Sequence, residues 1–576
     1  MSKNILNISG YIVFGVVDAK AKQEAVVSGN IGLGGLLPKN VVNGIRAEGQ
    51  RYNLGEYNQT ILDGSRIAIP NVSDYNTLYN GYISNSISNI NGIFSSDVKI
   101  IFEFPIRNID TPGITVQYLE EPPQEIYIST YKNNINYSTQ VFNPTSMIEM
   151  YELNNTTFDR IEIKATKVLP YSRFKVQEVD FGLTYTFDNS EYIEIKILEQ
   201  IDIMGSSNPA NELRLILKND DGKYDMFNPN SFSKNFIEKQ KIMCYIDIEY
   251  DDNTIETKKI GDFYLKFWEE EIPGTITFVA YELTYFWDEL HIKQKGMSYP
   301  ANIPNKVDLW LNYLFNDLGL FDEYNNPLYK YINIYDVDVN GIHPLLSFKD
   351  ALLYIMNSAV LYSNFNRDGI LEIVGLDLNA PIKKTFENGS TQIINSELLR
   401  NINTIGTILY EIDNLTAPDF RVRFSGSLSG ESTIVFDDVS WDLPVVTGNF
   451  SSFNIYPNAI IIKNASGNVL VRKNSMPVTR REIIYSFQNV DNINILNIPE
   501  SFMFFNEDML LTKLKRILDI SQLNRKMKIR YEFDPDLNIG DKVTVYNRWG
   551  GRYDAYITKN NITIRSGIDI ESEVIG

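Results

Sequence analysis

Carboxylates are the most plentiful reactive groups in this chain, with 73 Asp and Glu among 576 residues. A pair of them is the reagent set of glycoside hydrolysis, one as proton donor and one as nucleophile or base. The adjacent groups are Glu269-Glu270-Glu271 and Asp437-Asp438. Neighbours on a strand point to opposite faces, so adjacency does not make them converge. A hydrolytic pair could still be drawn from distant positions, but solvated surface charge is the simpler reading. The turn Asn219-Asp220-Asp221-Gly222 is rich in oxygen ligands and invites a calcium test. With Gly222 at the sixth place of a calcium loop, Leu217 would take the first and Asn228 the last, where acidic ligands are required. The match fails, and the same four residues suit a tight hairpin turn that needs positive φ.

Nucleophiles and bases are scarce. The chain has one cysteine, Cys244, and two histidines, His291 and His343. Cys244 lies in the strand-like run KIMCYIDIEY and reads as a buried structural thiol. His343 precedes Pro344 in a loop without an identifiable Ser, Cys or metal partner. A single cysteine rules out a disulfide within the chain and a Cys-ligated zinc site. The run Gly29-Asn30-Ile31-Gly32-Leu33-Gly34-Gly35 is followed by Leu36-Leu37 rather than the Lys-Ser/Thr of a phosphate loop, and reads as a flexible arm or turn. The expectation is a non-enzymatic protein with no catalytic, metal or cofactor site.

The elements around these residues are mostly strands. Residues 1–77 form a Gly- and Asn-rich opening arm. Over 78–184 short strands such as VKIIFEFP, GITVQYL, EIYISTYKN and FDRIEIKATKV alternate with turns and predict a β-sandwich or jelly roll. Over 185–300 YIEIKI, LRLILK, KIMCYIDIEY and GDFYLKFWEE, with glycines between them, predict a small, strongly bent, barrel-like sheet. Helices enter in a mixed α/β unit over 301–375. Val307, Trp310, Leu311, Leu314, Phe315 and Leu318 share one helix face ahead of Gly319, and Ser347 with Asp350 resembles a capping box before apolar 351–362. Residues 376–525 return to β structure with one helix from Asn506 to about Leu523. Residues 526–576 are strand, turn, strand. The fold class is mainly β with a few helices, a multidomain α+β chain whose length exceeds what one core supports. The short passage from Pro170 to Asp225, running from one β-module into the next, predicts a rigid junction.

Composition adds limits. The 35 Tyr and 31 Phe against 5 Trp favour pleated, half-buried surfaces, although an AT-rich genome would produce the same skew. A net charge of −20 opposes stable nucleic-acid binding, which needs cations to displace counterions. It would suit a conduit that lets DNA pass, or simply solubility. No cleaved signal peptide is expected at the amino terminus and no membrane insertion, because no apolar run approaches the roughly 20 residues of a span.

Several stretches, taken in order, resemble the tail and baseplate hub proteins of phages and phage-tail-like particles of Gram-positive bacteria. ILDGS and GYISNSISNINGIFSS look like the lead-in to a galactose-binding-like sandwich, and Val98 to Gly182 like that sandwich itself. YIEIKILEQIDIMGSSNPANELRLILKNDDGKYDMFNPNS, with GDFYLKFWEE, is similar to the first tube-like domain of a hub. NRDGILEI and DPDLNIGDKVTV resemble recurring hub elements. The resemblance implies a homotrimer at the virion tail tip, made in the host cytoplasm, that closes the tail tube and anchors tube, distal tail, fibre or receptor-binding proteins. It also implies hub-type β-barrel domains, and possible glycan contacts through loop aromatics of the sandwich, with Tyr131, Tyr137 and Phe142 as candidates. The competing reading is a carbohydrate-binding adhesin or a glycoside hydrolase with a β-sandwich module.

Overall fold

The computed structural model describes residues 5–18, 21, 24–29, 82–288 and 306–576, with shorter stretches inside the last two ranges left out, and the pairs 52–53 and 67–68. The described chain is mainly β with three α-helices. Between residues 82 and 181 it forms the expected sandwich. One sheet runs in the order Ile135–Phe142, Glu125–Lys132, Arg160–Lys167, Ile93–Glu103, Val26–Gly29, and the other Ile148–Glu152, Gly113–Tyr118, Lys175–Asp180, Tyr82–Ile83. Period-2 alternation sends Val98, Ile100 and Phe102, and Ile126 and Ile128, inward to meet Ile114, Val116 and Val176 in one core.

The sandwich passes into the next unit with one residue between strands. Lys175–Asp180 belongs to the sandwich and Gly182–Phe187 to a larger sheet. The residue between them, Phe181, is fully buried against the edges of Phe102 and Phe104 at 5.1 and 4.9 Å. Thr115 of the sandwich donates its hydroxyl to the Gly182 carbonyl at 3.0 Å and accepts from the Thr184 amide at 3.2 Å. The Asp18 amide donates to the Phe181 carbonyl at 2.8 Å, while Arg107 of the sandwich pairs with Asp18 and Glu24.

The large sheet has 13 strands. Its order is Gly182–Phe187, Ile5–Val17, Lys241–Tyr250, Ile255–Glu269, Thr275–Tyr281, Glu212–Lys218, Tyr192–Gln200, Arg552–Ile564, Ile568–Ile575, Arg525–Tyr531, Gln392–Leu398. Lys542–Tyr546 also pairs with Arg552–Ile564, and Lys384–Thr385 with Lys542–Tyr546. The seam between its early and late halves is antiparallel, Ile195 opposite Ile564 through Gln200 opposite Lys559. Leu213, Leu215, Ile195 and Ile197 from one side and Ile562, Ile564, Ile529 and Val574 from the other share a single core.

A helical unit lies between these halves in sequence. Helix α1 (Val307–Leu318) ends on Gly319 at φ 70. Helix α2 (Phe348–Ala359) begins at Ser347, whose side chain accepts from the Asp350 amide, as the sequence predicts. Helix α3 (Glu507–Ser521) completes the set. Their apolar faces, including Trp310, Leu314, Leu352, Ile355, Leu514 and Ile517, close over a three-stranded mixed sheet of Tyr329–Ile332, Leu371–Gly375 and Leu361–Phe365. Helix α2 stops short of the predicted Tyr362 because Leu361–Phe365 pairs with Leu371–Gly375, and Val360 turns the chain in a left-handed conformation, φ 54. Further along, Asp419–Val435 and Ala459–Ser475 pair in a long ribbon with a small core of its own around Ile460, Ile462 and Val471.

Three expectations are revised. The opening segment is more than an arm, since Ile5–Val17 pairs on both sides inside the large sheet and Val26–Gly29 edges the sandwich; its alternating Ile8, Ile12 and Phe14 join the core as a strand does. Most of the glycine run that follows lies outside the described residues. The barrel-like sheet is instead part of an open path of strands, with no closed barrel among the described residues; pairing of 192–200 with the distant 552–564 uses the edge that closure would need. The Asn219–Gly222 turn does not join neighbouring strands, because Glu212–Lys218 pairs with Tyr192–Gln200 and Thr275–Tyr281. Asn219 instead accepts the Tyr224 amide at 2.9 Å and folds Tyr224 back into the core.

Candidate functional site

Two motifs far apart in sequence meet in space. Asn366-Arg367-Asp368-Gly369 forms the turn between Leu361–Phe365 and Leu371–Gly375, with the Asn366 side chain accepting the amides of Asp368 and Ile370, each at 3.0 Å. This Asx geometry fixes the turn and leaves Arg367 free to reach outward. Its guanidinium donates to the carbonyls of Pro535 at 2.5 Å and Leu537 at 3.1 Å, inside DPDLNIGD, and its Nε lies 3.6 Å from Glu199 on strand Tyr192–Gln200. One side chain therefore ties the helical unit to both halves of the large sheet.

The loop is pinned from other directions as well. Lys258 pairs with Asp536 at 2.6 Å, Lys384 pairs with Asp534, and the Gly540 amide donates to the Ile557 carbonyl at 2.7 Å. Burial works against the charged form of Asp534, but the Lys384 ammonium and the Asp536 amide outweigh it and hold the carboxyl below its usual range. Burial raises Asp541. Across the turn, Asp262 is bonded to Lys241 at 2.9 Å and Lys259 at 2.7 Å, and burial lowers the Lys241 ammonium despite that pairing. Around these groups opens a cavity of about 1110 Å³, lined among others by Glu199, Lys259, Tyr362, Arg367, Lys383 and Asp541. Lys258 with Asp536, Lys384 with Asp534 and Arg367 with Glu199 join segments far apart in the chain, which is the chemistry of a clamp.

The residues weighed from sequence fall elsewhere. Cys244 is fully buried between Ile5–Val17 and Ile255–Glu269, and burial pushes its thiol up. Glu271 pairs with Arg214, and Glu270 accepts the Gly274 amide at 3.1 Å. His291, His343, Asp437 and Asp438 lie outside the described residues. Tyr131, Tyr137 and Phe142 sit on strands and not in loops, because Glu125–Lys132 and Ile135–Phe142 form one hairpin. Tyr131 lies under the Arg160 guanidinium at 4.8 Å, and Tyr137 falls at a bulge and is 60% exposed. Phe142 pairs with Ile126, about 17 Å along the hairpin from Tyr131 at ~3.3 Å per residue. Its ring packs on Tyr151 at 4.7 Å. The three do not converge on one site.

The solvent face of the large sheet is not of one sign. Lys526 faces Glu573, and Lys528 and Arg530 face Glu571, as cross-strand pairs. Two buried ionisable groups had little or no signal in the sequence reading. Lys513 of α3 donates to the Asn357 side chain of α2, and burial lowers its ammonium to about 7. It lies on the same face as Leu510, Leu514 and Ile517, so a charge inside an apolar stripe was the available clue. Glu282 follows strand Thr275–Tyr281, where nothing local marks it.

No protein-family model matches the sequence, and no curated protein is significantly similar to it. Among solved structures, the fold is similar to a tail protein from Neisseria meningitidis MC58, with 11% identity over 68% of this chain and 94% of that one, TM-score 0.37. A 43 kDa tail protein of prophage MuSo2 from Shewanella oneidensis shares 10% identity over 68% and 94%, TM-score 0.36. The prophage tail protein gp18 from Listeria monocytogenes EGD-e shares 8% over 68% and 91%, TM-score 0.33.

Proposed function

We propose that this chain is a non-enzymatic structural subunit of a phage tail or tail-like particle, acting as a baseplate hub that closes the distal end of the tail tube. The observation that carries the reading is the Arg367 junction. It joins the two stretches that resemble hub elements, NRDG and DPDLNIGD, and locks them to a sheet built from both ends of the chain. A sheet whose two halves share one core is a stiff plate, suited to bearing load in an assembly. One terminal strand, Gln392–Leu398, has a single partner strand in the described chain and leaves an edge on which a neighbouring copy could pair, whereas at the other end Thr115 of the sandwich takes up the Gly182 carbonyl and the Thr184 amide. A trimer made in this way would join that edge to a different surface of the next copy around a closed ring.

The sandwich fits an accessory role in the same reading. Ile135, Tyr137, Val141, Ile148 and Met150 are exposed on the two successive edge strands of its sheets, with Met147 in the bend before the second, a surface suited to docking another tail protein. Light scattering on purified protein and electron microscopy of tail particles test the proposal. A threefold ring at the tube end is expected. A chain that stays monomeric at high concentration and is missing from particles would refute it.

A further inference from the structure

We infer that the seam between the helical unit and the large sheet is a proton-controlled joint, closed while Glu282 is protonated and loosened when it ionises. This goes beyond the tail reading and does not depend on it. Glu282 is 3% exposed at the end of strand Thr275–Tyr281. Its Oε1 accepts the Thr284 hydroxyl at 2.9 Å, its own amide donates to the Asn211 carbonyl at 3.0 Å, and its Oε2 has no hydrogen-bond partner. The amides of Asn211, from the large sheet, and Phe365, from the helical unit, both act on the carboxyl, so it sits on the seam itself.

Next to Glu282 the seam is polar, although Ile201, Ile203 and Tyr556 join the helical core elsewhere along it. Asn211 donates to Asn364 at 2.9 Å, Ser363 to Asn208 at 2.8 Å, and the Asn357 side chain to the Gly205 carbonyl at 3.2 Å. Seams held by hydrogen bonds beside a water-accessible cavity open at less cost than apolar ones, because water replaces the lost partners. Asn364 and Phe365 line the 1110 Å³ cavity, which supplies that water.

The charged groups around Glu282 favour its neutral form. Glu199, on strand Tyr192–Gln200, faces it with like charge. Glu199 is itself engaged by Asn560 at 2.7 Å and by Arg367 at 3.6 Å, so that cation is committed to Glu199. Burial first, and Glu199 in addition, raise the Glu282 carboxyl to about 7, against the Thr284 hydroxyl and the nearby amides of Asn211 and Phe365. A carboxylate formed there has an unpaired oxygen in a dry site, and the remedy is hydration through the cavity.

Hydrogen exchange on the full chain between pH 5.5 and 8.5, corrected for intrinsic rates, reads the joint directly. Amides of residues 205–211 and 361–365 should lose protection about tenfold per pH unit from pH 5.5 up to about 7 and level off above it, while the sandwich keeps its protection. Glu282→Gln should remain protected throughout. Glu199→Gln, which removes the repelling charge, should bring the levelling-off to lower pH and shrink the total loss of protection, and it decides the matter if Glu282→Gln fails to fold. A seam whose corrected protection does not change with pH, a Glu282→Gln protein that follows the wild-type profile, or a Glu199→Gln protein whose loss levels off at the wild-type pH would overturn the inference.

Discussion

Replacing Arg367 by Met keeps most of the stem and removes the guanidinium. The loss comprises two charge-assisted hydrogen bonds, to the Pro535 and Leu537 carbonyls, and the nearby compensation of Glu199. Charge-assisted bonds are worth about 1.5–3 kcal/mol each, which sets an upper bound of about 3–6 kcal/mol. The cavity lets water reach the freed carbonyls, which removes a large part of that cost. Glu199 keeps its bond from Asn560, which limits the penalty for its charge. A net destabilisation of about 2–4 kcal/mol follows. Arg367→Lys keeps the charge but cannot fork to both carbonyls, and should cost about half as much. Urea denaturation gives the free energies, and proteolysis at 534–541 locates the damage, with cleavage expected to rise there before it rises in the sandwich. A loss under about 0.5 kcal/mol in Arg367→Met, with unchanged cleavage of the loop, would show that the clamp does not hold the halves together.

Phe181→Ala removes a fully buried ring from the one-residue junction and should cost about 3–5 kcal/mol, read by thermal unfolding; it should also free the sandwich to swing, read by small-angle scattering. Gly205→Ala would place a Cβ 2.4 Å from the Leu361 carbonyl at φ +65, so a loss of more than about 2 kcal/mol in urea unfolding is expected. Lys513 is a base whose folded pKa, about 7, lies below its unfolded value near 10.4; the unfolded chain binds the extra proton, so stability should rise with pH across that window. Lys513→Met should flatten this rise and add roughly 1–3 kcal/mol at pH 7, the gain reduced by the donor that Asn357 loses. Glu282 has the opposite sign: its folded pKa is raised, so its contribution is present below about pH 4.5 and lost as pH rises towards 7, and Glu282→Gln should remove that slope in stability measurements.

Local elements are legible from neighbouring residues alone, because their signals repeat within a few residues. The alternation in LRLILK buries Leu213, Leu215 and Leu217 as a strand, and the spacing of Trp310, Leu311, Leu314 and Phe315 before Gly319 gives α1 and its end. Ser347 caps α2 where Asp350 suggests it, and Cys244 is buried as its apolar neighbours imply. Other features needed the folded chain. Ile5–Val17 reads as part of a polar arm until strands 182–187 and 241–250 pair on either side of it. Tyr131 and Phe142 look like companions until the hairpin register sets them at opposite ends. The joining of Ile195 to Ile564, the reach of Arg367 to Pro535 and the approach of the Phe365 amide to the buried Glu282 all depend on residues tens to hundreds of positions apart. Periodicity records which face of an element is apolar, but pairing partners and the charge on a buried carboxyl are set by what packs opposite, which the folded chain alone supplies.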